Sequence, residues 1–365
     1  MTDVISAIRD TQTYIGIPLL HEHWYVAGLC EEFGRDLTSR TLLEKSVVFY
    51  RTEAGELIAL QNRCLHRSFP LSESKLQGDN IVCGYHGIEY SPEGEIQNVP
   101  CQTQCPSGKL RKYPIKEVGP FVFIWMGNPE NAEQGYIPEL PYLENPQKVS
   151  FYGEEFLVDG SYLLLQENLN DLTHFTHLHA NTFGATVDSL DESFIKLPLD
   201  FAETNGIPGC YRTDDNSDRI KLGLPPEVLA EIGDRKVVNR NGGITVSPGV
   251  WLGENFFHVE DPAPGKPETY KIYINHYLTP KTHNSCHYWY SVTTDFIEPT
   301  PENSAGMSAL FRAAFEEDVV AINHMQKLLE EDTTDYKEIN VFGDKAGVLI
   351  RRKMLEWVAN EYPAN

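Results

Sequence analysis

The sequence predicts an α+β fold in two parts. A small all-β region comes first, and a larger region with an antiparallel sheet and a long late helix follows. Three observations carry this reading. Residues 47–127 read as short strands punctuated by turn residues. Residues 243–297 hold several aromatic-rich strand patterns, and residues 301–331 form the longest helical pattern in the chain. Between the two parts, 128–150 is rich in Pro, Asn and Glu and reads as a connector, so the expected division is 1–140 and 141–365.

The elements follow in order. "SVVFYRTEAGELIALQNRC" is two β-rich runs around Glu53-Ala54-Gly55, a hairpin signal. "IEYSPEGEIQNVP" repeats the device around Pro92-Glu93-Gly94. "GPFVFIWMGNP" is a strongly apolar strand closed by Gly127-Asn128-Pro129. Beyond the connector, residues 161–180 look helical, and "TYKIYINHYLTP" and "CHYWYSVTTDF" read as strands. The late helix, "GMSALFRAAFEEDVVAINHMQKLLEE", carries an apolar stripe at Met307, Phe311, Ala314, Phe315, Ile322, Met325 and Leu329.

With 30 basic and 53 acidic residues in 365, the formal charge is −23, which repels phosphate backbones and argues against nucleic acid as a partner. Residues of the apolar class make up 41%, enough for a substantial core. There is no apolar run of about 20 residues to span a membrane. The N-terminus, "MTDVISAIRDTQTYIGIPLL", lacks the basic-then-apolar order of a secretory signal. Seven cysteines are too few and too odd for a disulfide scaffold and suit a reducing compartment; the expectation is a cytoplasmic protein.

"CLHRSFPLSESKLQGDNIVCGYH" runs from Cys64 to His86. Zinc fingers usually keep Cys with Cys and His with His. Here each loop supplies one of each, C-x-H and then C-x2-H. A two-iron cluster can take two thiolates on one iron and two imidazoles on the other, and two such loops suit that division. Cys64, His66, Cys83 and His86 are therefore the expected ligands of a Rieske-type [2Fe-2S] cluster. A structural zinc site, or a chance set of buried residues, is the competing reading. Cys101 and Cys105, flanking "QTQ" with no His nearby, read as a loop pair, and Cys30, Cys210 and Cys286 as small core residues or free thiols.

A cluster domain needs only part of this length. "QENLNDLTHFTHLHANTFG" holds Asp171, His174, His177 and His179 within nine residues. Iron(II) that activates O2 is commonly held by two His and one carboxylate, with positions left open. Helix geometry alone favours His174 with His177, an i, i+3 pair; His179 would require a distorted turn. The carboxylate must point inward. Asp318 falls on the apolar stripe of the late helix, where an unpaired carboxylate is expensive. Glu316 projects to the polar side near Arg312, and Glu317 is the main rival. A buried Asp318 that merely caps or pairs locally is the bland alternative.

These stretches carry a family resemblance. "HEHWYVAGLCEEF", the two cluster loops, "GPFVFIWMGNP", "NLNDLTHFTHLH" and "FEEDVVAINHMQ" resemble the oxygenase component of Rieske non-haem iron aromatic-ring oxygenases, closest to the vanillate O-demethylase-like branch. Two departures stand out, Gly84 where the family has Pro and Ile88 where it has Trp; neither is a ligand. The resemblance implies a catalytic domain of helix-grip-like form and makes His174, His179 and Asp318 the iron ligands. It implies that Asp171 links an iron histidine to a cluster histidine of a neighbouring chain in a ring-shaped trimer. It places Asn168 near the iron.

The resemblance also implies monooxygenation of an aromatic compound (ring hydroxylation or O- or N-demethylation), with O2 as co-substrate. Electrons would come from NAD(P)H through a flavin or iron–sulfur reductase or ferredoxin, and the setting would be aromatic catabolism. Ring cis-dihydroxylation is the alternative outcome, and an electron carrier without oxygenase activity is the alternative class; a carrier would not need His174, His179 and Asp318. Trp251, Phe256, Phe257, Tyr288 and Trp289 are candidates for the wall around a flat ring, though aromatics on a sheet also serve simply as core. Arg212, Lys221, Arg235 and Arg240 are candidates to hold a substrate carboxylate or sulfonate, or to sit in solvent.

Overall fold

The structure, a computed structural model, describes residues 17–140, 143, 149–153, 155–180, 182, 197, 199–201, 203–204, 206–298, 300–331 and 338–363. They form two compact units. Residues 21–137 together with 279–282 make a β unit, and the other described residues make a mixed unit.

The β unit is ten short strands: β1 (Trp24–Leu29), β2 (Thr38–Leu42), β3 (Lys45–Arg51), β4 (Leu57–Gln61), β5 (Lys75–Gln77), β6 (Asn80–Val82), β7 (Glu89–Tyr90), β8 (Ile96–Asn98), β9 (Ile115–Val118) and β10 (Phe121–Trp125). They pair antiparallel as β1-β10-β9, β2-β3-β4 and β5-β6-β7-β8. Both expected hairpins are present. The β3–β4 turn needs a left-handed residue, and Gly55 supplies it at φ 88° without a Cβ penalty. The strand of "FVFIW" is buried along its whole length. Alternate residues of β3 and β4 (Val48 and Tyr50, Ile58 and Leu60) meet Leu71, Ile81 and Tyr90 in one core that also contains Cys64 and Cys83. The two cysteines are thus anchored in the packed interior.

The mixed unit is built on one antiparallel sheet: β11 (Val149–Tyr152), β12 (Phe156–Val158), β13 (Leu199–Asp200), β14 (Glu203–Thr204), β15 (Ile207–Asp214), β16 (Val237–Ser247), β17 (Val250–Val259), β18 (Thr269–Thr282) and β19 (Ser285–Thr294). The order is β11-β19-β18-β17-β16-β15-β13, with β12 on β19 and β14 on β15. Among the described residues it also has helices α1 (Tyr162–Leu169), α2 (Phe175–Leu178), α3 (Ser217–Leu222), α4 (Pro226–Ile232), α5 (Pro301–Glu331) and α6 (Lys345–Glu361). No helix among the described residues is long and apolar enough to cross a membrane.

Two expectations need correction. Residues 161–180 are not one helix. Ser161 caps α1 by accepting from the Leu163 N–H at 3.3 Å, and Asn170 ends it. The Asp171 carboxylate then takes the Thr173 N–H (2.7 Å) and hydroxyl (2.6 Å), a local bond that competes with the helical ladder. Only one further turn, α2, follows. The second correction concerns α5, which does bury Phe311, Ala314, Phe315, Asp318, Val319 and Ile322, but then Gln326. Met325 is 42% exposed. Gln326 is tolerated inside because its Oε1 accepts from the Ser161 N–H (3.0 Å) and its Nε2 donates to Glu330 (3.0 Å).

Candidate metal centres

The cluster loops are near-copies of each other. In the first, the Cys64 N–H donates to Phe69 O (2.9 Å) and the Ser68 N–H to Cys64 O (3.0 Å). In the second, the Cys83 N–H donates to Ile88 O (2.8 Å) and the Gly87 N–H to Cys83 O (2.9 Å). Each loop turns through a left-handed residue, Ser68 at φ 61° and Gly87 at φ 71°. The two loops present Cys64 and Cys83 inward and His66 and His86 outward to solvent. The imidazoles meet Nδ1 to Nδ1 at 3.2 Å. Burial, and further the Cys64 thiol beside it, holds the Cys83 thiol above its ordinary range. Two buried thiols behind two convergent Nδ1 atoms fit a cluster with thiolates on one iron and imidazoles on the other.

Tyr90 was not singled out from sequence, yet it belongs to this centre. Its oxygen accepts from the Leu65 N–H at 3.1 Å and lies 3.2 Å from Cys64 Sγ, so the phenol proton is available to the sulfur. Gly84 also finds a reason. Its N–H donates to Ser74 Oγ at 3.0 Å, a bond a proline has no hydrogen to make. Ile88 is buried in the core of the unit. Of the remaining cysteines, Cys101 and Cys105 are exposed, while Cys210 and Cys286 are buried.

The second centre forms where α1, α2 and α5 meet. His174 precedes α2 and His179 follows it, at φ −94° and ψ 22°. This break from regular helix lets residues five apart face one point. His179 Nε2 is 3.3 Å and His174 Nε2 3.6 Å from Asp318 Oδ1, and the three donor atoms lie within 4.8 Å of one another. The Asn168 amide donates to the same Asp318 oxygen at 3.1 Å. His177 is exposed on α2, so the pairing favoured by helix geometry is not the one the chain makes. Glu316 is exposed, and Glu317 reaches the far side of His179, its Oε2 2.9 Å from Nδ1. Burial lowers the pKa of His174. Burial works in the same sense on His179, but Asp318 and then Glu317 outweigh it and raise the pKa. Two Nε2 atoms and a carboxylate at one buried point fit a divalent metal of the two-His-one-carboxylate kind.

A cavity of about 360 Å³ opens beside these donors, with His174, His179, Asp318 and Asn168 in its wall. Most of the lining is apolar, including Leu172, Phe175, Ile272, Ile274, Phe296 and Phe311. One side is a row of amides. Asn241 donates to Asn239 at 3.1 Å, and Asn239 to Asn255 at 2.6 Å. His276 also lines it, its Nδ1 2.7 Å from the Tyr288 hydroxyl; burial pushes its pKa down to about 3, so it is neutral.

The aromatic candidates divide by strand alternation. Trp251 and Phe257 face the cavity. Phe256, one residue from Phe257, lies on the opposite face against Tyr273. Tyr288 stands behind His276, and Trp289, one residue on, stacks on His287 instead.

None of the four basic candidates lines the cavity. Arg212 is buried and donates to Leu172 O, while Arg240 pairs with Glu254 and covers the Tyr211 ring. Lys221 and Arg235 bond to backbone carbonyls. The cation that does line it is Arg219, held by Asp214 through two bonds of 2.7 Å.

Family models match both parts of the chain. A Rieske [2Fe-2S] domain model covers residues 23–114, and a model of the vanillate O-demethylase oxygenase C-terminal domain covers residues 158–360. The chain belongs to the vanillate O-demethylase family of Rieske oxygenases. This Rieske oxygenase is 30% identical to the oxygenase component of dicamba O-demethylase from Stenotrophomonas maltophilia, over 83% of this chain and 87% of that one. It is 28% identical to the toluene-4-sulfonate monooxygenase system iron–sulfur subunit of Comamonas testosteroni, over 84% and 88%. A crystal structure of dicamba monooxygenase shares its fold, with a TM-score of 0.80 at 23% identity over 95% of this chain and all of that one.

The Rieske oxygenase is thus an enzyme, the oxygenase component of a system of the monooxygenase and demethylase kind that receives electrons from a reductase or ferredoxin. Its cofactors are a [2Fe-2S] cluster and a mononuclear non-haem iron, and both donor sets described above fit them. The Asp171 carboxylate bonds to Thr173, and it is the Asp171 backbone that lies against the His174 imidazole.

Proposed function

We propose that this Rieske oxygenase monooxygenates a single-ring aromatic compound bearing a polar or anionic group, with Cys64, His66, Cys83 and His86 holding the cluster and His174, His179 and Asp318 holding the iron. The observation that carries the reading is the cavity of about 360 Å³ whose wall contains the iron donors, a size that suits one substituted ring. When bound, iron(II) with three protein ligands keeps positions open for O2, and the cluster supplies electrons. The chain does the rest. The apolar wall excludes water and holds the ring, and the amide row with His276 turns the polar substituent away from the iron. Asn168 holds the Asp318 carboxylate in place. Relatives named for toluene-4-sulfonate and vanillate support an aromatic acid as the substrate class.

Asp171 is proposed to bridge His174 to His66 or His86 of a neighbouring chain. The position of Asp171 against His174 and the exposed imidazoles of the cluster loops support this. One chain's cluster then serves the next chain's iron, which a homotrimer accommodates. NAD(P)H acting through a flavin or iron–sulfur reductase is the proposed electron source, aromatic catabolism the setting, and the cytoplasm the location.

The test is substrate-dependent O2 uptake across aromatic acids and aromatic methyl ethers, with a reductase supplied and ¹⁸O2 as the label. One labelled oxygen atom in the product, or formaldehyde released from a methyl group, is expected. A cis-diol carrying two labelled atoms would replace monooxygenation by dihydroxylation. Reduction of the cluster without O2 uptake on any compound would favour an electron carrier.

A further inference from the structure

We propose that Glu317 is the positioning residue for His179: it accepts a hydrogen bond from the Nδ1–H and so leaves Nε2 as the lone-pair nitrogen aimed at the iron. The inference rests on the iron reading above and goes beyond its ligand set. Glu317 and Asp318 are consecutive on α5, about 100° apart around the helix. That step places them on the two ends of one imidazole. Asp318 Oδ1 is 3.3 Å from Nε2, and Glu317 Oε2 is 2.9 Å from Nδ1. A single helix therefore brackets the ring.

The glutamate is itself held. Thr182, three residues after His179, donates its hydroxyl to the same Oε2 at 2.7 Å. Glu317 has no Lys or Arg partner among the described residues, so its charge is directed at the imidazole. A merely solvated helix glutamate would be mostly exposed, whereas this side chain is 24% exposed and the ring it touches 2%. The consequence is tautomeric. A carboxylate at Nδ1 can only accept, so the proton sits there, and Nε2 is free to bind metal. The carboxylate also raises the basicity of the ligand nitrogen, as such outer partners do. Among the described residues no carboxylate is bonded to His174 Nδ1, so His174 has no such counterpart there.

Iron(II) affinity of the holoenzyme, measured by competition with a chelator, tests this. The visible spectrum of the cluster serves as the folding control. Glu317→Met keeps the length but has no acceptor, and is expected to weaken iron binding roughly 10–100-fold. Glu317→Gln keeps an acceptor oxygen and falls between Met and wild type. Thr182→Val, which frees the glutamate, weakens binding less than Glu317→Met. The paramagnetic spectrum of the iron–nitric oxide adduct, read with the cluster oxidised, should change in the Met variant and return toward wild type in the Gln variant. Wild-type affinity in Glu317→Met, or equal losses in Met and Gln, overturns the proposal. Asp318→Ala separates the two readings: if that variant keeps iron at wild-type affinity, the ligand assignment fails first.

Discussion

The two metal centres are built in opposite ways. The cluster donors come from two short loops, with 20 positions between His66 and His86 and 26 between Cys64 and Tyr90. Each loop closes on itself through its own backbone, and the β unit's core holds the cysteines from behind. The candidate iron donors come from two distant segments: His174 and His179 flank α2, while Asp318 lies on α5. Nothing local in sequence holds the two segments together. The packing of α5 against the sheet and α1 does, and so the carboxylate must be buried before any metal arrives. A centre made of closed loops tolerates loss of one outer contact. A centre assembled by packing depends on which helix face turns inward.

The largest expected effect tests that dependence. Asp318→Ala should leave the protein red-brown, because the cluster loops close through their own backbone and the β unit's core, yet strip the mononuclear iron. Turnover should fall by more than the roughly 10–100-fold typical of losing an outer contact. Metal analysis and product formation check this. His177→Ala, on the exposed side of α2, should keep both metals; loss of iron in that variant but not in His179→Ala would reverse the assignment.

A smaller effect probes communication between the centres. Asp171→Asn should retain both metals and oxidise its cluster at least about 10-fold more slowly when the reduced enzyme is mixed rapidly with substrate and O2. Wild-type cluster oxidation, or a fully active monomer in sedimentation, would remove the bridge.

The smallest effect lies within the cluster loops. In Tyr90→Phe the hydrogen bond to Cys64 Sγ is lost while the loops stay closed. Such a bond favours the more negative, reduced cluster, so its loss should lower the potential. At about 0.5–1.5 kcal/mol per hydrogen bond and 59 mV per tenfold for one electron, the shift is about 20–65 mV. An unchanged potential in a redox titration would show that the phenol proton points elsewhere.

Much of this was legible in the chain. The alternation of Cys and His marked two loops whose donors converge, because their geometry is closed by neighbours in sequence. The turn residues at Gly55 and Gly94 marked hairpins because only certain residues take left-handed backbone cheaply. The apolar period of α5 singled out Asp318, since a helix repeats its buried face every three to four residues. Other features belonged to the tertiary structure. Helical spacing favoured His174 with His177, but α2 ends at Leu178, and His179, off the regular helix at φ −94° and ψ 22°, turns toward Asp318 instead. Glu317 and Asp318 are adjacent and chemically alike, and composition cannot rank them. Their helix angle relative to His179 gives one the Nε2 side and the other the Nδ1 side. The cavity likewise depends on which strand faces turn inward, which is why Phe257 lines it and Phe256 does not. Bonds between near neighbours leave a pattern in sequence, whereas the meeting of distant faces is decided by packing.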